Sequence, residues 1–131
     1  MVVEVGGVGL LIRCSATTSR SLPGTGHEVS LSTYLVVRED ALDLYGFATS
    51  AERELFEAFI SVSGVGPRMG LAICGVDEPD ALRLAVARGD HAKIQLASGV
   101  GKRTAERVVL ELRGKVGELV SAEPGARGLT D

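Results

Sequence analysis

A chain of 131 residues with 45% apolar and 24% charged side chains has the balance of one ordinary folded domain or two small ones, which excludes a disordered tail. Seventeen acidic against fourteen basic groups leave a net charge of −3, which over the whole chain argues against a polyanionic ligand. That average hides a segregation: residues 1–63 hold 4 basic and 8 acidic groups, residues 64–115 hold 9 and 6, and residues 116–131 hold 1 and 3, so the middle alone suits a polyanion.

The N-terminus carries Glu4 and the glycines Gly6, Gly7 and Gly9, a poor leader sequence, and no apolar run approaches a membrane span. A cytoplasmic protein without membrane contact is expected. From Met1 to Phe47 the apolar residues are β-branched or alternate with polar ones, as in Val2–Val5, Leu10–Cys14, Val29–Leu31 and Tyr34–Val37, which predicts short strands. Gly6-Gly7 and the segment Leu22-Pro23-Gly24-Thr25-Gly26 punctuate them, so neighbouring strands are expected to pair as antiparallel hairpins. Cys14 and Cys74 lie in apolar runs without a second cysteine nearby, so neither a structural disulfide nor a zinc site is expected.

The period changes at Thr49-Ser50-Ala51-Glu52, a capping box in which the Thr hydroxyl and the Glu carboxylate can each accept from a free backbone N–H. The helix that follows places Leu55, Phe56, Phe59 and Ile60 on one face, opposite Arg53, Glu54 and Glu57. Shorter helices are predicted over 67–74, 78–87 and 90–96, and a long one over 102–119 with a buried stripe of Ala105, Val108, Val109, Leu112 and Val116. Lys102, Arg103, Glu106, Arg107 and Arg113 lie off that stripe, and Gly114 and Gly117 weaken the helix end. The composition divides the chain into a β domain over 1–48, a helical domain over 49–120 and a Gly/Pro-rich tail over 121–131. The fold class is therefore α+β.

The helical half contains an echo. Ser63-Gly64-Val65-Gly66-Pro67-Arg68 and Ser98-Gly99-Val100-Gly101-Lys102-Arg103 stand 35 residues apart, each at the start of a helix. Two glycines around one apolar residue let the backbone turn tightly, with Val facing the core and N–H groups exposed at a helix N-terminus, where a phosphate oxygen fits. Arg68 in one copy, Lys102 and Arg103 in the other, and Arg107 one turn further on add charge-assisted contacts. Such contacts hold a nucleic-acid backbone without reading bases, so binding should be sequence-independent and fall with salt. One isolated copy would read better as a plain turn between packed helices; the duplication favours the phosphate reading.

In the order Val3-Glu4-Val5-Gly6-Gly7-Val8-Gly9, Val36-Val37-Arg38-Glu39-Asp40-Ala41, Leu44-Tyr45-Gly46-Phe47, Ser63–Pro67 and Gly99–Arg107, the chain resembles the RuvA family up to about Val120. The resemblance implies an N-terminal OB-like β-barrel and a tandem helix-hairpin-helix domain that binds DNA through Ser63, Gly64, Val65, Gly66, Arg68, Ser98, Gly99, Val100, Gly101, Lys102, Arg103, Thr104 and Arg107. It implies a non-catalytic subunit that recognises four-way (Holliday) junctions and supports branch migration in recombination, repair and the SOS response to DNA damage. The partners it implies are the junction itself, further copies in a homotetramer or octamer, the ATP-hydrolysing RuvB motor and the RuvC resolvase. Glu39 and Asp40 match the family's acidic pin, carboxylates that repel phosphates beside the crossover; without the resemblance they read as an ordinary polar turn. Against the family pattern the chain starts one strand late, stops before the third domain that contacts RuvB, has Ser98 where proline is usual and has Gly70 inside a helix. A barrel short of its first strand, doubtful tetramer formation and weakened or absent motor binding are the expectations that follow.

Other sites fail on spacing. A P-loop would need Gly at Leu96 and Ser or Thr at Arg103, and Gly64, Gly66 and Gly70 miss the dinucleotide spacing by one. His27 and His91 are isolated, and Glu39 and Asp40 are adjacent rather than facing, so no metal, cofactor or catalytic residue is assigned. Two further readings stay open: an accessory domain of a DNA-repair enzyme that uses the hairpins as grips, and a truncated scaffold or inhibitor of the junction complex.

Overall fold

The computed structural model describes residues 1–121, with side-chain surroundings described through Lys115. Of the expected tail over 121–131, Ser121 is the last residue of α6 and residues 122–131 lie outside the described residues, as does the expected burial of Val116. The strands are β1 (Val2–Val5), β2 (Val8–Cys14), β3 (Ser32–Val37) and β4 (Leu42–Phe47), and the helices are α1 (Ala16–Ser21), α2 (Ser50–Ile60), α3 (Pro67–Cys74), α4 (Pro79–Ala87), α5 (His91–Ile94) and α6 (Lys102–Ser121). Strands come first and helices follow, as the sequence predicts for an α+β chain.

Gly6 and Gly7, at φ +57° and +84°, form the two-residue turn that pairs β1 antiparallel with β2, with Val5 opposite Val8. β3 and β4 form the second hairpin, closed by the Arg38 N–H donating to the Ala41 carbonyl at 2.8 Å. The four-stranded sheet has the order β1-β2-β4-β3 and is open among the described residues, so the OB-like domain is not a closed barrel here. One expected pairing is corrected. Residues 29–31 form no strand, and β2 pairs parallel with β4 instead of antiparallel with the next strand. The reason is α1, which the sequence pattern did not suggest: Ala16-Thr17-Thr18-Ser19-Arg20-Ser21 has no apolar stripe, yet it forms a capped turn between β2 and β3 and turns a hairpin into a crossover.

The helix starts follow local chemistry. Thr49 caps α2 by accepting from the Glu52 N–H at 3.1 Å, Pro67 and Pro79 occupy the first turns of α3 and α4, and Asp90 caps α5 through the Lys93 N–H at 3.2 Å. Half of the expected capping box is corrected. The Glu52 carboxylate does not return to its own helix start; it accepts hydrogen bonds from the Ser15 and Thr18 hydroxyls of the α1 turn.

One core joins sheet and helices. Tyr45 and Phe47 of β4 are fully buried with Leu55, Phe56 and Phe59 of α2, Ile73 of α3, Leu82 and Val86 of α4, Ile94 of α5, and Ala105, Val108 and Leu112 of α6. Phe56 is its hub, with ring centroids 5.5 Å from Tyr34, 5.3 Å from Tyr45 and 4.9 Å from Phe47. Each such pair adds about 0.5–1.5 kcal/mol beyond the burial of its surface, so α2 is docked on the sheet mainly through this ring. Gly70 is buried where α3 crosses α2: a Cβ there would lie 2.8 Å from Cγ2 of Ile60. Its presence inside a helix therefore reflects close packing more than a propensity defect.

Candidate nucleic-acid interface

The two echoed segments fold alike. In the first, Gly64 stands at φ +90° and the Val65 N–H donates to the Val62 carbonyl at 3.0 Å; in the second, Gly99 stands at φ +83° and the Val100 N–H donates to the Ala97 carbonyl at 3.2 Å. The Gly66 carbonyl then accepts from the Gly70 N–H at 2.9 Å, and the Gly101 carbonyl from the Ala105 N–H at 3.0 Å, so each second glycine opens a helix. Val65 and Val100 are 5% and 6% exposed, buried as the sequence predicts. Their amides are consumed by the turn and are not free. Among the described residues the N–H groups of Gly64, Gly66, Arg68 and Met69, and of Gly99, Gly101, Lys102, Arg103 and Thr104, donate to no internal acceptor. These nine unpaired donors in two matched turns make two partially positive pockets, because a helix start and a positive-φ glycine aim consecutive N–H groups the same way.

Ser63, Gly64, Gly66, Arg68, Ser98, Gly99, Gly101, Lys102, Arg103 and Arg107 are exposed and Thr104 is half-buried. Arg68, Lys102 and Arg103 take part in no ion pair among the described residues. Arg107 is engaged: its Nη1 donates to the Ser63 carbonyl at 3.3 Å, joining α6 to the first loop. Arg68 also shares a cleft of roughly 530 Å³ with Leu96, Ala97 and Ser98 of the second loop. The two loops are thus neighbours, with the free cations spread between and beside them. Glu39 and Asp40 are exposed at the tip of the β3–β4 hairpin, and no hydrogen bond or ion pair joins them to either loop. The Arg38 next to them is drawn away to Asp43 at 3.4 Å, which leaves the tip locally acidic.

Sequence reasoning missed three anchoring groups. Glu52 is one; the capping box marked the residue but not its partners. Asp77 is another: its ion pair with Lys93 at 2.5 Å, its bond from the Glu78 N–H and the nearby Arg20 hold its carboxyl below the usual range, with desolvation opposing them. Arg113 is the third, donating from Nε to the Ala87 carbonyl at 3.1 Å and clamping the end of α4 to α6. Cys14 and Cys74 are free thiols, and burial raises both above the ordinary value of 9.0, most strongly at Cys74 with a contribution from Glu52. Neither is primed for thiolate chemistry. Among the described residues no three His, Cys, Asp or Glu side chains group as metal ligands, and no helix is long and apolar enough to cross a membrane.

Residues 1–46 match the family model described as the RuvA N terminal domain, and residues 56–115 match the SAM-like helix-hairpin-helix tandem. The chain is 47% identical over 128 residues to the Holliday junction branch migration complex subunit RuvA of Streptomyces griseus, covering 98% of this chain and 61% of the relative. It is 48% identical to the proteins of that name from Chloroflexus aggregans, over 88% of this chain and 60% of the relative, and Chloroflexus aurantiacus, over 95% and 65%. The chain thus spans about three fifths of the length of these relatives. Likeness of this degree runs through the sheet, its hairpins and both glycine loops in one order, and by it the chain belongs to the RuvA family.

Proposed function

We propose that this chain is a non-catalytic, structure-selective DNA-binding subunit that recognises four-way junctions during branch migration. The observation that carries the reading is the pairing of two like turns, each with unpaired amides and a free cation, linked by the Arg107–Ser63 contact. A single duplex spans both turns if successive phosphates on one groove edge meet the two sets of N–H groups. The DNA-binding set is then Ser63, Gly64, Gly66, Arg68, Ser98, Gly99, Gly101, Lys102, Arg103, Thr104 and Arg107, with Val65 and Val100 acting by anchoring the turns. Glu39 and Asp40 supply the repulsive element that disfavours phosphates at the crossover. In this reading residues 1–48 carry the acidic hairpin and residues 49–120 the grips.

Since the relatives are named as subunits of a branch migration complex, the proposal extends to assembly as a homotetramer or octamer, to a motor of the RuvB type as the seat of ATP hydrolysis, to a RuvC-type resolvase and to the cytoplasm as the place of action. A gel-shift comparison of a four-way junction with linear duplex across a salt series tests the core of it. Preference for the junction and a steep loss of affinity with salt are expected. Equal binding of both substrates, or indifference to salt, overturns the reading, and cleavage of nicked, abasic or junction DNA with magnesium would show an enzyme instead.

A further inference from the structure

Glu52 sits 2% exposed at the seam between sheet and helices, and among the described residues it has no cationic partner. Its two carboxylate oxygens are divided between the two hydroxyls of the α1 turn, one accepting from Ser15 and the other from Thr18. Both hydroxyls are themselves committed: Ser15 Oγ accepts from the Thr18 N–H at 3.0 Å, and Thr18 Oγ1 accepts from the Ala48 N–H at 3.0 Å. From the other side of α1, Thr17 Oγ1 donates to the Cys74 carbonyl at 2.9 Å, at the end of the helix that the first glycine loop opens. Gly75 lets the two elements approach this closely, since a Cβ there would lie 3.2 Å from the Ala16 nitrogen.

A buried carboxylate is costly, and an apolar seam of the same size would hold the two parts together at least as well. What a directional cluster adds is a single geometry, because each carboxylate oxygen has its own hydroxyl partner and sliding breaks several bonds together. The cluster ties the α1 turn, which follows β2, to the first turn of α2, and so adds a directional link beside the covalent step from β4 through Ala48 and Thr49 and the packing of Phe56 on the sheet. We infer that Glu52, clasped by Ser15 and Thr18, is a positioning residue that fixes the angle between the acidic hairpin and the DNA-gripping loops. The inference rests on the junction-binding reading above, and it adds a residue that touches no DNA.

The test uses Thr18→Val and Ser15→Ala, each of which removes one clasping hydroxyl, with Glu52→Gln as the conservative replacement and Leu82→Ala as a core variant away from the clasp. Two quantities are read: the ratio of junction to duplex affinity, and the distance distribution between spin labels on Glu39→Cys and Leu110→Cys in a Cys14→Ser background. The clasp variants should keep duplex affinity, lose junction preference by about tenfold and broaden the distance distribution, since one lost bond in a buried network frees that much population. Glu52→Gln, which keeps one accepting oxygen, should lose less of both than either hydroxyl variant, and Leu82→Ala should change stability without changing the ratio. A narrow distribution in both clasp variants, or equal losses on duplex and junction, overturns the inference. A parent protein with a narrow distribution but no junction preference would instead sink the junction reading while leaving the clasp in place.

Discussion

The Arg107 guanidinium reaches back from the second turn of α6 to the Ser63 carbonyl at 3.3 Å, so a residue of one glycine loop is held by a cation that belongs to the other. One fork can serve both loops because only one of its donors is spent there, leaving others to face an anion. Arg107→Ala should lower DNA affinity by about tenfold and reduce the salt slope by about one unit, the share of a single phosphate contact. Arg107→Lys should restore the slope but not the affinity, since an ammonium cannot bind the carbonyl and a phosphate with the same planar geometry. Fluorescence anisotropy on duplex DNA across a salt series measures both, and a lysine variant equal to the parent would remove the bridging role.

The glycines of each loop separate into two kinds. Gly64 and Gly99 have positive φ and ample room, with a Cβ meeting only Arg107 Nη1 at 3.7 Å in the first case and nothing within 4 Å in the second. Alanine there strains the backbone and should cost about 1–2 kcal/mol, visible as a lower melting temperature. Gly66 and Gly101 lack positive φ and have open space around the missing Cβ, so alanine should change stability by only about 0.5 kcal/mol. If DNA approaches the backbone there, Gly66→Ala and Gly101→Ala weaken binding without lowering the melting temperature. Unchanged DNA affinity in both would place the phosphates elsewhere.

The parts of this molecule that follow from local rules were legible in the sequence. Thr49, Pro67, Pro79 and Asp90 start helices where capping and proline preferences put them, and the repeated Gly-Val-Gly by itself announces two like turns. What stayed hidden depends on distant partners. The α1 turn has no apolar period because its side chains are hydroxyls meant for Glu52 and for the end of α3, so its reason to exist lies 34 and more residues away in sequence. The parallel pairing of β2 with β4 follows from that turn and was lost with it. The bonding of the Val65 and Val100 amides was equally unreadable, since it depends on φ at the preceding glycine and not on residue type.

Asp77 gives a prediction in acid. Its folded carboxyl lies below the ordinary value of 3.8, chiefly through Lys93, so its charged form adds stability that is fully present above that value and is lost as pH falls through the lower folded one. The pair ties the α3–α4 connection to α5, just ahead of the second glycine loop. The parent should therefore lose its advantage over Lys93→Met as pH is lowered below about 4, with the two converging in more acid solution. Circular dichroism of both proteins over an acid titration checks it, and a constant difference in melting temperature across that window would count against the pair.

Gly70 separates packing from propensity. Helix propensity alone says that Gly70→Ala should stabilise α3 by about 1 kcal/mol. The structure opposes this: the new methyl would lie 2.8 Å from Ile60 Cγ2 and 3.5 Å from the Phe56 ring, and Ile60 is β-branched on a helix, so that methyl has no alternative rotamer to adopt cheaply. Overpacking of this kind costs about 1–3 kcal/mol, which exceeds the propensity gain. The net change should be a destabilisation of about 1 kcal/mol, since the packing cost is the larger of the two. Because Phe56 carries the aromatic contacts to Tyr34, Tyr45 and Phe47, the shift should also disturb the docking of α2 on the sheet. The double variant Gly70→Ala with Ile60→Val leaves the clashing branch in place and should rescue little, whereas Gly70→Ala with Ile60→Leu moves the branch point outward and should recover most of the loss. Chemical denaturation of the three proteins decides it, and a more stable Gly70→Ala single variant would mean that α2 and α3 are not packed this closely.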